Sequence, residues 1–135
     1  MRLMEITRET DYAIRCVYYL SGKPDEVTMV DEIAREMEIP KSFLAKIVQK
    51  LAKADIVKSF RGVKGGYQLA RRPKDLSLLD VVEAVEGSIA MNICVLDRQA
   101  CDRSSTCRIR PVWAEIRKDF RKLLGKHDFA RLRSQ

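Results

Sequence analysis

The clearest hydrophobic pattern along the chain lies between residues 41 and 53 and has the period of an α-helix. The apolar positions that we expect to be buried are Phe43, Leu44, Ile47, Val48 and Leu51. The opposite face carries Ser42, Ala45, Lys46, Gln49 and Lys53, so it is basic and able to form hydrogen bonds. The pattern therefore predicts an amphipathic helix whose polar face is left for a partner.

Two short apolar runs joined by a glycine-rich segment follow this helix. Residues 56–60 and 67–69 have the β-branched and aromatic composition of strands. The segment between them supplies glycines, which tolerate the positive φ that a tight turn requires. The pattern predicts a two-stranded hairpin, called the wing below, with Arg61 and Lys64 near its tip.

A helix is also predicted near the start of the chain. Its inward positions are Tyr12, Ala13, Cys16, Val17 and Leu20. Thr10 or Asp11 can cap it, and Gly22 followed by Lys23 and Pro24 can end it.

A second, acidic helix is predicted within residues 28–38, with Thr28 or Asp31 as its cap. Ile39 and Pro40 end it and begin the turn before residue 41, because proline disfavours helical backbone in the residue that precedes it. A helix, a short turn and a second helix form the unit that presents the second helix to a DNA major groove.

The second half of the chain is organised differently. Ser77 can cap a helix that ends at Gly87, and residues 88–110, called the cysteine loop below, show no convincing period. Pro111 suits the first turn of a long last helix. Its narrow apolar stripe consists of Trp113, Ile116, Phe120 and Leu123. Such a stripe requires a partner helix, which favours dimerisation, although a helix folded back on its own domain would also cover it.

The predicted fold class is therefore mainly α with a small β wing: a winged helix-turn-helix domain followed by a long dimerisation helix. The expected organisation is a DNA-binding domain at residues 1–87, a cluster-binding cysteine loop at 88–110, and a dimerisation helix with its tail at 111–135.

Composition and charge narrow the function. The 135 residues carry a formal net charge of +7, which favours a polyanionic partner. No apolar run is long enough to span a bilayer, and charge interrupts the N-terminal sequence too early for a secretory signal, so we expect a cytoplasmic protein. No catalytic triad, phosphate loop or acidic pair near a cysteine is present, so we do not expect an enzyme.

Residues 41–64 contain seven Lys or Arg residues and one acid, Asp55. A lone basic helix is often only a solvated surface, but a basic helix combined with a wing favours double-stranded DNA as the partner. The expected DNA-binding residues are Lys41, Ser42, Lys46, Gln49, Lys50, Lys53, Arg61 and Lys64. The first four would meet bases or nearby phosphates, and Arg61 would enter a narrow minor groove.

The four cysteines fall into two groups. Cys16 lies in an apolar helical pattern and is best explained as a small buried residue. Cys94, Cys101 and Cys107 share one loop but lack the short spacings of a structural zinc site. Thiolates alone suit a soft metal or an iron–sulfur cluster, and nearby arginines would offset the negative charge. A reversible disulfide and ordinary reduced thiols remain as alternatives.

Nearly the whole chain resembles the IscR/NsrR family of bacterial transcription regulators. The segments that carry this resemblance are the N-terminal MRL, TDYAIR at 10–15, IPKSFLAKIVQKL at 39–51, RGVKGGYQLAR at 61–71, LLDVVEAVEG at 78–87, and the three-cysteine loop before PVWAEI at 111–116. The resemblance implies a homodimer, a cluster held between the loop and the partner subunit, and promoter binding that depends on the state of the cluster.

The fourth ligand is where this chain departs from part of that family. IscR-like members place a histidine three residues after the last cysteine, where this chain has Arg110, and its only histidine, His127, is far along the chain. NsrR-like members resemble this chain in carrying an aspartate at the position of Asp11, so the resemblance implies Asp11 as the ligand, with Glu9 as the next candidate. Asp11 could equally be a helix cap.

The function expected from the sequence is a homodimeric DNA-binding regulator that senses redox state, nitric oxide, oxygen or iron–sulfur supply through a two-iron or four-iron cluster. One alternative is a regulator of the same fold that uses thiol–disulfide chemistry without a cluster. A small electron carrier is a third class, and the basic helix and wing argue against it.

Overall fold

The computed structural model describes residues 6–135. Helix α1 spans Arg8–Ser21 and ends at Gly22, as predicted. Its cap is Thr7, whose side-chain oxygen accepts a hydrogen bond from the backbone N–H of Thr10. The expectation that Thr10 or Asp11 caps this helix is therefore wrong. Thr10 lies inside the first turn and is fully buried, because the helix begins earlier than its apolar pattern indicates.

Helix α2 spans Val30–Glu36 and begins after Met29, without a side-chain cap. Thr28 and Asp31 are therefore not caps. Thr28 instead forms a β-bridge with Tyr67, with both backbone hydrogen bonds at 2.8 Å, and this pairing holds the segment before α2 against the wing. Helix α3 spans Lys41–Lys53 and starts directly after Pro40, so the predicted helix-turn-helix is confirmed.

Helix α3 buries four of its five predicted core residues: Leu44, Ile47, Val48 and Leu51. Phe43 is the exception, because 41% of its surface remains exposed. Its ring lies edge-to-face on Tyr12 of α1, with the ring centroids 5.4 Å apart. Phe43 therefore lies at the rim of the core beside Tyr12, whereas the next residue, Leu44, is fully buried.

The wing is an antiparallel pair of strands, β1 at Val57–Phe60 and β2 at Gly66–Leu69. Val57 pairs with Leu69 at its base and Phe60 pairs with Gly66 near its tip. The strands therefore differ from the predicted ones by one residue each. Gly66 cannot be replaced without movement, because a Cβ there would lie 2.1 Å from the carbonyl oxygen of Thr28.

Helix α4 spans Leu78–Glu86 and confirms the predicted start and end. Ser77 and Asp80 form a capping box, in which each side chain accepts the backbone N–H of the other residue. Gly87 ends the helix with a φ of 85°, a conformation that favours glycine.

The cysteine loop contains a short helix, α5 at Ile93–Leu96, and a 3₁₀ turn at Arg98–Ala100. The long helix α6 then spans Arg110–Gly125, and a last helix, α7, spans Phe129–Ser134. No residue of α6 is buried. The sequence pattern indicated a long helix here, and the structure contains it.

The tail after α6, residues 126–135, packs against the first part of the chain. The backbone N–H of Phe129 donates to the carbonyl of Leu76 at 3.0 Å, and that of Leu78 donates to the carbonyl of His127 at 3.0 Å. The Phe129 side chain is fully buried in the core that α1, α3 and α4 form. The sequence grouped this tail with the long helix, whereas α7 packs against α1 and completes the core of the helix-turn-helix unit.

Within residues 6–135, every helix is too short or too polar to cross a membrane. Every charged residue that the structure describes lies outside the buried core, on the exposed or half-buried surfaces of the helices, the wing and the loops.

Candidate DNA interface and cysteine loop

The outward face of α3 presents the predicted DNA-binding side chains to solvent. Lys41, Ser42, Lys46, Gln49 and Lys53 are all exposed, and Lys50 is half-buried. The buried face of the helix fixes this orientation, because its apolar side chains must pack against the core and the polar face is then turned to solvent. The buried residues are Leu44, Ile47, Val48 and Leu51. The structure therefore brings these six residues together on one helix, as the sequence predicted.

Two of these lysines are already paired with acids. The Lys50 ammonium lies 2.8 Å from a Glu9 carboxylate oxygen on α1, and that of Lys41 lies 3.0 Å from Asp31 on α2. Glu9 also lines a shallow groove with Lys46, Gln49 and Lys53. Binding of Lys50 to a phosphate therefore competes with an intramolecular ion pair, which the sequence could not indicate.

The tip of the wing is a tight turn between Gly62 and Gly65, closed by a 3.0 Å hydrogen bond from the Gly65 N–H to the Gly62 carbonyl. Gly62 has a φ of 108°. Arg61 and Lys64 flank the tip and are both exposed, so they can reach a polyanion beside the helix-turn-helix.

The cysteines differ in environment. Cys16 is fully buried, and burial raises its pKa to about 12, so its thiol is an inert part of the core. Cys94 is buried in α5, Cys101 is exposed and Cys107 is half-buried, and all are free thiols. The prediction that Cys16 is structural is confirmed, whereas the three loop thiols remain available for chemistry.

Cys107 lies just before the N-terminus of α6. The backbone N–H groups of Arg110 and Ile109 face its sulfur and lower the pKa of the thiol, because they stabilise the thiolate. The guanidinium of Arg110 also donates to the Cys94 carbonyl at 3.0 Å. Arg110 thus joins two cysteine-bearing segments, a role that no sequence pattern identified.

The loop thiols and the proposed fourth ligand are not assembled in one chain. Within residues 6–135, no three His, Cys, Asp or Glu side chains converge where they could hold a metal ion. Asp11 is half exposed and pairs with Arg15 at 2.9 Å, and Glu9 is held by Lys50. The structure therefore does not gather Cys94, Cys101, Cys107 and Asp11 around one point.

The chemistry of the loop nevertheless fits a thiolate-bound group. It offers three free thiols, one of which has a lowered pKa. It also contains a buried hydroxyl, Ser104 Oγ, that finds no hydrogen-bond partner among the residues the structure describes. A hydroxyl of this kind can donate to a thiolate or to a sulfide.

Helix α6 exposes a continuous apolar stripe. Ile116, Phe120 and Leu123 are 39%, 38% and 55% exposed, and Trp113 is half-buried. Ile109 and Val112 extend the stripe by one turn, at exposures of 57% and 50%. Polar contacts hold the flank of the helix: Arg121 pairs with Glu83 of α4 at 2.9 Å, and Arg117 donates to the carbonyl of Ile89 at 2.6 Å.

One further cluster joins α4 to the start of α1. The Glu86 carboxylate accepts hydrogen bonds from the hydroxyls of Thr10 and Thr7. These bonds hold the pKa of Glu86 below its usual range, because they favour the charged form. The contact spans most of the helix-turn-helix unit along the chain, so local patterns gave no signal for it.

Comparison with known proteins agrees with this geometry. A family model named Rrf2, described as an iron-dependent transcriptional regulator, matches residues 6–135. The HTH-type transcriptional regulator NsrR of Geobacillus kaustophilus is 30% identical over 131 residues, which cover 96% of this chain and 89% of that protein.

Two solved structures share the fold. IscR of T. potens superposes with a TM-score of 0.75 at 23% identity, covering 97% of this chain and 87% of that one. CymR, the global cysteine regulator of B. subtilis, gives a TM-score of 0.75 at 24% identity and covers 98% of both chains. The matched relatives are transcription regulators, which confirms that the chain is not an enzyme. The chain belongs to the Rrf2 family of DNA-binding transcriptional regulators.

Proposed function

We propose that this regulator acts as a homodimer whose promoter binding depends on an iron–sulfur cluster held by Cys94, Cys101 and Cys107. When bound, such a cluster supplies a centre that reacts with nitric oxide or oxygen, or that reports iron–sulfur supply. The observation that carries the proposal is the set of three free thiols in one loop of a chain from an iron-dependent regulator family.

The loop supports thiolate ligation in two ways. The backbone N–H groups at the start of α6 stabilise the charged form of Cys107. Arg110 holds the Cys94 segment beside the same helix terminus through its bond to the Cys94 carbonyl. Cys101 lies between the two along the chain and is exposed, so its thiol is accessible as a third ligand.

A second subunit supports the assembly of the complete site. The apolar stripe of α6 requires cover, and a matching stripe on a partner subunit would supply it. Pairing of this kind would bring the cysteine loop of one subunit towards the α1 helix of the other. Asp11 of the partner subunit is then the proposed oxygen ligand, with Glu9 as the next candidate.

This arrangement would connect the sensor to the DNA-binding surface through α1. Asp11 pairs with Arg15, which also donates to the Met37 carbonyl at the end of α2. Glu9 pairs with Lys50 of α3. A change of ligand at Asp11 would therefore alter contacts that position the helix-turn-helix.

The test is an absorption spectrum with iron and sulfide assays on protein purified without oxygen. Broad visible absorbance and near-equal iron and sulfide would support the cluster, and their ratio to protein would distinguish two irons from four. Cys94→Ser, Cys101→Ser and Cys107→Ser should each lower the iron content. Cys16→Ala is the matched control, because that thiol is buried away from the loop.

A second function, thiol sensing without a cluster, is favoured by the exposure of Cys101 and the lowered pKa of Cys107. A colourless protein that resists reconstitution and forms reducible cross-links among the loop cysteines would select it. The same protein should then lose or gain promoter affinity upon mild oxidation. Both mechanisms would be contradicted if the protein contained a cluster but its DNA affinity did not change with nitric oxide, with oxygen or with loss of the cluster.

A further inference from the structure

The cysteine loop places one polar side chain in its interior, that of Ser104. Within residues 88–110, the residues that are less than a tenth exposed are Cys94 at 7% and Ser104 at 8%. The next residue, Ser105, is exposed, although its side chain is identical. The fold of the loop therefore distinguishes two adjacent serines and buries the first of them beside the cysteine-bearing segments.

The hydroxyl of Ser104 has no hydrogen-bond partner in the part of the chain that the structure describes. The buried hydroxyl of Ser21, by contrast, donates to the Tyr18 carbonyl at 2.6 Å. The buried hydroxyl of Thr10 donates to the Glu86 carboxylate. A buried hydroxyl without a partner costs free energy, because its hydrogen bonds to water are lost and not replaced. Its burial here points to a partner that the chain itself does not provide.

The backbone around Ser104 indicates which partner fits. The N–H of Ser104 donates to the Cys101 carbonyl at 3.2 Å, and the N–H of Cys107 donates to the Arg103 carbonyl at 2.7 Å. The second bond closes one turn of helical pitch, and side chains three residues apart on such a turn lie on the same side. Ser104 and Cys107 have this spacing. A cysteine that ligates a metal is deprotonated, so its sulfur is a charged acceptor for a nearby hydroxyl.

We propose that the Ser104 hydroxyl donates a hydrogen bond to the thiolate of Cys107 when that thiolate ligates the iron–sulfur cluster. This inference rests on the cluster of the proposed function and adds a residue that retains the cluster without ligating it. A hydrogen bond to a charged acceptor is stronger than one between neutral groups, so the hydroxyl should slow loss of the cluster. It should also raise the reduction potential, because a donor near sulfur favours the more negative, reduced state.

The test compares Ser104→Ala with Ser105→Ala in protein that is reconstituted and kept without oxygen. We expect Ser104→Ala to lose its visible absorbance about three- to tenfold faster in the presence of an iron chelator, since one charge-assisted hydrogen bond is removed. Its reduction potential, measured by voltammetry, should lie below that of the wild type. Ser105→Ala changes an exposed serine and should match the wild type in both measurements. Ser104→Thr keeps the hydroxyl and should retain the wild-type potential.

Unfolding of the metal-free protein in urea supplies a second readout. Ser104→Ala should not lower its free energy of unfolding, because the hydroxyl has no bond within the described chain to lose. An equal loss of stability in the metal-free and cluster-loaded proteins would overturn the proposal, because the hydroxyl would then have the same partner in both. Cluster-loss rates and potentials that are identical for Ser104→Ala and Ser105→Ala would also overturn it. Either result leaves the proposed function intact, whereas a wild-type protein that takes up no iron and sulfide would overturn both.

Discussion

Glu86 shows how much a single side chain can contribute to this fold without a sequence signal. Its carboxylate accepts hydrogen bonds from Thr7 and Thr10, which begin α1. The sequence analysis placed the cap at Thr10 or Asp11, because both are suitable residue types, and did not consider Thr7. Thr7 is the cap because Thr10 is buried beside Glu86 and lies inside the first turn. Thr10 and Glu86 are far apart along the chain, so no local sequence pattern indicates their contact.

Replacing Glu86 with glutamine should lower the free energy of unfolding at pH 7 by about 0.5–1 kcal/mol, a modest value because the carboxylate is near solvent. The folded-state pKa lies below the usual range, so this stabilisation is present above the unfolded pKa of about 4.3 and is lost as pH falls through the folded value. Urea unfolding of both proteins from pH 7 to pH 3 measures the difference.

The two unfolding curves should converge at the acidic end. The matched control is Glu26→Gln, which changes an exposed glutamate of the loop after α1 and should leave stability unchanged at every pH. A difference between wild type and Glu86→Gln that persists undiminished at pH 3 would contradict the charge-based explanation.

The ion pair between Glu9 and Lys50 predicts a gain of DNA affinity upon mutation. Glu9→Gln should free the Lys50 ammonium and tighten binding by about two- to fivefold at low salt, since a solvent-accessible pair contributes no more than about 1 kcal/mol. Fluorescence anisotropy with a labelled duplex measures this change, which should shrink as salt increases.

A double-mutant cycle isolates the pair. Lys50→Ala should weaken binding and reduce the salt slope, and adding Glu9→Gln to Lys50→Ala should give no further gain if Lys50 is the group that is released. An equal gain from Glu9→Gln in both backgrounds would mean that Glu9 acts through general charge rather than through Lys50.

Elements whose hydrophobic residues meet the core were the most predictable. The sequence located α3, the wing and α4 to within one residue, because period, glycine and capping signals agree there. Phe43 departs from this agreement, because its position in the period is apolar but it lies at the rim of the core, 41% exposed. Arg110 could not be foreseen, since its bond to the Cys94 carbonyl depends on how an aperiodic loop folds.

Helix α6 is the element on which the proposed dimer depends. Phe120→Asp combined with Leu123→Asp should convert the protein to a monomer, because charge would be placed within the apolar stripe. Sedimentation equilibrium measures the mass. Lys118→Asp is the control on the polar face of the same helix and should preserve the dimer.

The far-UV circular dichroism of the Phe120→Asp, Leu123→Asp protein should match the wild type, since neither residue is buried. Its operator affinity should fall with the loss of the second DNA-binding unit. If the variant keeps the mass of a dimeric wild type, the stripe is not the dimer interface. A monomeric wild type would remove dimerisation from the proposal.

At the scale of the whole molecule, Phe129 joins the two ends of the described fold. Phe129→Ala should lower the free energy of unfolding by about 3–5 kcal/mol, because the ring is fully buried and its removal leaves a cavity. Phe60→Ala, at a wing position that is 43% exposed, should cost much less and is the control. Urea denaturation followed by circular dichroism compares the two.

A small change in the free energy of unfolding upon Phe129→Ala would mean that α7 contributes little to the stability of the domain. The sequence offered no way to distinguish these cases, since Phe129 and Leu132 form only one apolar turn in a polar tail. The geometry of the cysteine loop was similarly beyond prediction. The sequence shows which residues carry thiols, but only the folded loop determines how those thiols are arranged.

The packing of α7 into the core determines when the regulator can fold during its synthesis. Every other core residue precedes Phe129 in the chain, so the core remains open until the ribosome has synthesised the cysteine loop and α6. A nascent or prematurely terminated chain that stops within those segments contains helix α3 but lacks Phe129, which completes the core beneath it. Such products should be unstable substrates for proteases. DNA would thereby be protected from fragments that contain α3 but lack the rest of the regulator.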